Sequence, residues 1–223
     1  MSAGCNILEN IINPLVTLVA AFAGAWLAFR FEKHRRIEEE KNKHIASANL
    51  ALFTIYNMWN ILFQYYNEVI TPFKNKEDAW LNMDAISSSS NNPSEFSYET
   101  ISFILQSSSP NTFSKLILEE QRFNSAINLI QSRSELMLSQ VFPRLSRAGL
   151  KVGGSTYEDS MESIIGIDNT HKLKQYTKGI INNVTLNLES LVSTHDELHS
   201  LMKSIYPKEK FIKVKFSEAK KST

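Results

Sequence analysis

The feature that most constrains this chain is an uncharged run near its N terminus. From Asn10 through Phe29 no side chain is charged, and most are apolar. A helix rises about 1.5 Å per residue, so roughly 20 residues cross a hydrocarbon core of about 30 Å. Ile11 to Phe31 is therefore expected to be a transmembrane helix. It lacks the basic leader of a signal peptide. Pro14 suits the first turn of such a helix, where its missing N–H costs nothing. Trp26 and Phe29 lie near the far end, where aromatic rings favour the headgroup region.

Within the run, Ala20, Gly24 and Ala28 recur every four residues, and Thr17, Ala21 and Ala25 repeat the spacing one residue along. Small side chains on one face let membrane helices approach closely, so self-association is expected. Directly after the run come Arg30, Lys33, Arg35 and Arg36, whereas residues 1–10 contain no Lys or Arg. Basic residues flanking a span stay on the cytoplasmic side. The expected orientation is N-out, C-in. Glu38, Glu39 and Glu40 then mix with Lys41 and Lys43, which reads as a solvated helical collar, with lipid headgroups as the alternative partner.

The segment from Ile45 to Asn67 is also free of charged residues. Asn49, Asn57, Asn60, Gln64 and Asn67 project within about 80° of one another at 100° per residue, while Leu50, Leu52, Ile55, Trp59, Leu62 and Phe63 occupy the other side. Three arrangements fit. The helix can lie in the membrane interface. It can sit next to the membrane with its apolar side packed on the distal domain. Or it can be a second span whose amide stripe faces partner helices or a wet path. One span with a membrane-associated second helix fits the positive-inside tendency best.

The rest reads as all-α. Gly (7) and Pro (6) are too few for the turns that a β-rich domain of this length needs. Thr71-Pro72 stops the striped helix, and SSSSNN marks a flexible connector. Asn92-Pro93-Ser94-Glu95 looks like a helix start, leading into a short apolar helix to about Gln106. Ser109-Pro110 opens a longer one with Phe113, Leu116, Ile117, Phe123, Ile127, Ile130, Met137 and Val141 on one face. Pro143 is expected to kink its end, and Gly149 terminates it. Ser155 and Glu158 form a capping box, and Asp168 can cap the last long helix. There Leu173, Tyr176, Ile180, Val184, Leu188, Leu191, His195, Leu198, Met202 and Ile205 step by three and four, the pattern of an antiparallel bundle or coiled coil. Pro207 ends it. The expected divisions are a flank (1–10), a membrane helix (11–31), a collar with the striped helix (32–70), a connector (71–92), a helical bundle (93–206) and a basic tail (207–223). The tail is frayed or touches the membrane surface, and residues 211–216 alternate weakly, as in a short edge strand.

Catalytic signatures are missing. His195 and His199 share a helical face as in a zincin motif, but Asp196 stands where that motif has Glu, no third ligand is evident, and His195 falls on the apolar stripe. KVGGS lacks phosphate-loop spacing. Cys5 is the only cysteine, which excludes an internal disulfide. Asn183 opens an N-V-T glycosylation acceptor, but inside a buried-stripe helix. A net charge of +1 argues against direct nucleic-acid binding. The chain is expected to be no enzyme and to need no cofactor.

The layout of Ile11–Phe31, the striped Ile45–Asn67 segment and the later bundle resembles small membrane-bound effectors of bacterial anti-phage systems, some encoded with retrons. Those join one or two N-terminal spans to a helical sensing domain and damage the host membrane once released. The resemblance implies an antiviral defence toxin of the bacterial inner membrane. It implies contact with membrane lipid, a homo-oligomer, and a regulatory protein or ribonucleoprotein partner. Asn57, Asn60 and Gln64 would then line a polar path. It carries over no functional residue. The second function that fits the residues is a membrane tether or adaptor holding a cytoplasmic partner.

Overall fold

The computed structural model describes residues 3–86, 95–150 and 158–216, with side chains described from Val16 onward and, in the third stretch, from Met161. Among those residues every regular element is a helix, as the scarcity of turn residues requires. The chain forms two compact units, Met1–Ala46 and Ser47–Thr223.

The first helix, α1, runs from Ala3 to Tyr65. From Ala25 to its end it contains neither Gly nor Pro, so nothing in its backbone chemistry interrupts it. It begins earlier than Ile11, which puts Pro14 inside the helix rather than in its first turn. In the first unit the side chains from Val16 to Leu27, together with Phe29 and Phe31, are exposed. Among the described residues no helix is long and apolar enough to cross a membrane. The described part of the apolar run, Val16 to Phe29, rises only about 20 Å; residues 11–15 extend it, but their side chains lie outside the described set.

The second unit starts inside the striped segment. Ala48, Leu52, Ile55, Met58, Leu62 and Ile70 are fully buried there, with Trp59 and Tyr65 nearly so. They share one core with Leu116, Phe123 and Ala126 and with Ile180, Val184, Leu191, Leu198 and Met202. Of the three arrangements open to Ile45–Asn67, the structure adopts the one in which its apolar side packs on the distal domain. A helix whose apolar stripe is taken up by protein has no such stripe left for lipid. Leu50 departs from the expected face: it is 56% exposed. After Tyr65 a π-helical turn, Tyr66–Ile70, ends the helix. Thr71 closes it through its N–H and its hydroxyl, both donated to the carbonyl of Tyr66 at 2.8 and 2.9 Å.

The connector holds a short helix, α2 (Ala79–Asn82); SSSSNN lies outside the described residues, as do Asn92 and Pro93. The next helix, α3, starts later than expected, at Tyr98, and runs to Ile101 before a 3-10 turn, Ser102–Gln106. Helix α4 (Asn111–Leu136) follows Pro110. A π-helical turn, Met137–Val141, leads into α5 (Phe142–Arg147), with Pro143 in its first turn. Gly149 ends this run at φ 71°, a conformation that glycine adopts without a Cβ penalty. Helix α6 spans Glu158–Ile165 and α7 spans Ile167–Ile205; KVGGS and Ser155 lie outside the described residues.

Helices α4 and α7 pair antiparallel. Thr112 meets Glu197, Glu119 meets Ser190, and Arg133 meets Thr177, so residue numbers rise in one helix as they fall in the other. The α7 stripe read from its three- and four-residue steps is the buried one, from Leu173 to Met202. A second, smaller core gathers Trp80, Leu136, Met137, Val141, Leu145, Met161, Ile165 and Leu173.

Gly166, not Asp168, is the residue before α7, at φ 89° and ψ 147°. That region is essentially closed to residues with a Cβ. A Cβ there would also lie 3.3 Å from Nη1 of Arg144, which donates to the Ile165 carbonyl at 2.5 Å. Gly166→Ala is expected to cost about 1–3 kcal/mol, read as a lowered urea midpoint with an unchanged slope.

Candidate functional site

The most exposed apolar surface belongs to α1. Phe22, Phe31, Phe29 and Leu18 are 68–76% exposed, and Val16, Val19, Trp26 and Leu27 exceed 45%. Burying such a side chain gains about 1.5–3 kcal/mol, so these eight together leave on the order of 10–20 kcal/mol unrealised. Patches of this kind mark membrane or protein contacts. Leu18, Val19, Phe22, Ala23 and Trp26 line a shallow apolar depression of about 520 Å³. The small residues Ala20, Gly24 and Ala28 are exposed too, and nothing approaches within 4 Å of where a Gly24 Cβ would stand.

The basic residues after the run are not equivalent. Arg30 lies over the Trp26 ring, 5.3 Å from its centroid, a cation–π contact at the point where apolar side chains give way to charge. Arg35 and Arg36 both bind Glu32, at 3.0 and 2.9 Å. Their hydrogen bonds hold the Glu32 carboxyl well below the usual range, at about 2. Arg35 also reaches Glu39, and Lys41 reaches Glu38. Lys33 is exposed. From Arg30 to Arg36 there are still four basic residues against one acidic, so this turn remains the electropositive end of the apolar run.

The amide stripe sits elsewhere. Asn57, Gln64 and Asn67 are exposed, and Asn49 and Asn60 are half-buried, on the side of α1 turned away from the bundle core. Asn49 Oδ1 accepts the Ile212 N–H at 2.8 Å. The stripe is thus the outer face of a bundle helix.

The tail also departs from expectation. Residues 206–216 form no strand. Phe211 and Phe216 pack on the main core, the latter edge-on to Trp59 and His195 at 5.1 and 4.9 Å. His195 is fully buried, and its Nε2 has no hydrogen-bond partner. His199 lies parallel to it at 6.4 Å. Among the described residues no group of three or more His, Cys, Asp or Glu side chains comes together as metal ligands.

Two features gave no sequence signal. Arg133, in the last turn of α4, is 1% exposed. Its guanidinium donates to Thr177 Oγ1 (3.0 Å) and to the carbonyls of Trp80 (3.2 Å), Met83 (2.6 Å) and Asp84 (3.3 Å). Read from sequence, an arginine among polar neighbours is a surface residue. The second is a groove of about 460 Å³ between α4 and α7, lined by Arg122, Ser125, Asn183, Leu186, Asn187, Glu189 and Ser190. Under it Glu119, 3% exposed, binds Arg122 at 3.0 Å and accepts the Ser190 hydroxyl at 2.7 Å. At one end of the helix pair Glu197 takes Lys115 and the Thr112 hydroxyl; the Lys115 bond, first, draws its pKa down. The Ser190–Glu119, Thr112–Glu197 and Lys115–Glu197 contacts tie α4 to α7, while Arg122–Glu119 lies within α4.

No protein-family model matches the chain, and no curated protein and no solved structure matches it either.

Proposed function

We propose that this chain is a membrane-anchored, non-enzymatic helical module of a bacterial inner membrane, with Ile11–Phe31 crossing the bilayer N-out, C-in, and a bundle that holds a cytoplasmic partner. One observation carries the reading: the exposed apolar run of α1 gives way to the basic turn Arg30–Arg36. A bilayer supplies both environments in that order, hydrocarbon and then anionic headgroups. The tether is favoured over a pore because the amide stripe belongs to a helix whose apolar face is spent on the bundle core, so the polar path would have no second span to line it.

A second reading rests on the small-residue face. Ala20, Gly24 and Ala28 are exposed along α1, which supports close self-association of the span, as a membrane-damaging defence effector requires. Resistance of the chain to alkaline extraction separates these readings from a chain that does not insert, and topology reporters then test the orientation. A fluorescent protein fused after Thr223 is expected to light up, and a periplasm-dependent phosphatase fused there to stay inactive. Growth and membrane potential are expected to hold when the chain is overexpressed alone; depolarisation would favour the effector instead. An active phosphatase at the C terminus rejects the proposed orientation.

A further inference from the structure

The tail is tied down at several points. The Tyr206 N–H bonds the Met202 carbonyl at 2.9 Å, and Lys203 Nζ bonds the Glu209 carbonyl at 2.6 Å. Further on, the Ile212 N–H bonds Asn49 Oδ1 on α1. Phe216 then ends the path among aromatic rings: Trp59 at 5.1 Å, Tyr56 at 6.4 Å and His195 at 4.9 Å, with Trp59 itself stacked on Phe63 at 4.4 Å. The peg of this tail therefore rests on a histidine with no solvent exposure and an unpartnered Nε2.

We propose that residues 206–216 are a strap released by protons. With His195 neutral the strap lies across α1 and α7, pegged by Phe216; with His195 protonated it lifts away and bares Tyr56 and Trp59. A neutral imidazole tolerates a buried ring nitrogen at modest cost, whereas an imidazolium buried without acceptors does not. Its one near acceptor is Asp196 Oδ1, at 3.5 Å from Nδ1, beyond good hydrogen-bond length. The other titratable groups acting on it are cations or become so: His199 on α7 and Lys213 on the strap itself. From α1 the aromatic nest presents Tyr56 and Trp59, and from α4 Lys115 is held by Glu197.

Burial above all sets the direction, with His199 and Lys213 adding to it and Asp196 opposing: His195 is held below its ordinary value. Once the strap lifts, the ring returns toward that value, about 6.5. The strapped state thus binds fewer protons. Its advantage is full above about pH 6.5 and falls as pH drops, by up to about tenfold in the strapped-to-released ratio at one unit below.

The test is hydrogen exchange of the full chain in lipid vesicles at pH 7.5 and 5.5, corrected for intrinsic rates. Protection of the Ile212 N–H is expected to fall about tenfold on acidification, while the Leu191 amide of α7 keeps its protection. His195→Gln should flatten the step, His199→Gln should retain it, and Phe216→Ala should remove Ile212 protection at both pH values. Equal Ile212 protection at the two pH values in the unmodified chain overturns the proposal, and this comparison needs no variant. So does a parallel loss at Leu191, which would be general acid unfolding, and so does a step that survives in a folded His195→Gln chain.

Discussion

Replacing Arg133 by methionine lowers the stability of the bundle by about 3–5 kcal/mol, the range for removing one partner from a buried charged network. Methionine fills much of the same space and adds no charge. It leaves the buried carbonyls of Trp80 and Met83 without their donor, and takes one from the partly buried carbonyl of Asp84. These carbonyls belong to α2 and the segment after it, so the loss falls on a short helix that Trp80 and Leu81 otherwise hold through the second core. Burial pulls the guanidinium pKa down, yet an arginine stays charged in proteins. Tyr65 supplies no compensating charge, because burial pushes its phenol up to about 12. Three carbonyl dipoles and the Thr177 hydroxyl hold the guanidinium directly, and the Asp84 carboxylate favours its charge from further off. Arg133→Lys keeps the charge but not the fork that reaches four oxygens, and is expected to recover less than half of the loss. Urea unfolding of the chain in detergent measures both. A Met variant within about 1 kcal/mol of the original would show the carbonyls finding other donors.

Leu18→Arg with Phe22→Arg is expected to release the chain from membranes. The two positions face the same apolar depression, near the middle of the expected span, where each arginine costs about 2.5–3.5 kcal/mol on insertion scales. Two together approach 5–7 kcal/mol, on the order of 10⁴-fold in partitioning. Alkaline extraction of membranes reads this directly: the original chain stays with the pellet and the double variant moves to the supernatant. Gly24, on the same helix, offers the contrast. Gly24→Leu adds apolar surface, so it should keep the chain in the pellet while hindering close helix approach. A double variant that still resists extraction would mean that α1 is not what holds the chain at the membrane.

Several elements are legible from residues alone, for a common reason. In α7, Leu173 through Met202 recur at steps of three and four, and no chain geometry other than a helix puts them on one face; all but the half-buried Tyr176 are buried. Even His195 sits where that stripe places it. Helix ends marked by Pro or Gly, at Thr71, Asn111, Gly149 and Ile205, fall where those residues put them because backbone chemistry acts within a turn. The start near Asn92 is different: capping chemistry names residues able to begin a helix, but Phe96 spends its N–H on the Glu120 carboxylate of α4 at 3.1 Å, and the regular helix begins only at Tyr98.

What the sequence by itself determined is therefore local: an all-helical chain, the buried face of each long helix, and an uncharged run ending in basic residues. What only the tertiary structure decided is the partner of each face. Ile45–Asn67 carries an apolar side that lipid and protein would satisfy equally, since both exclude water, and it took contact with α4 and α7 to assign it to the bundle. Arg133 reads as a surface cation until three carbonyls from a distant segment surround it. Residues 211–216 read as a frayed tail or an edge strand until Phe216 meets Trp59 and His195. Periodicity states that a face must leave water; it says nothing of what it leaves water for, because that depends on residues far along the chain arriving at the same place.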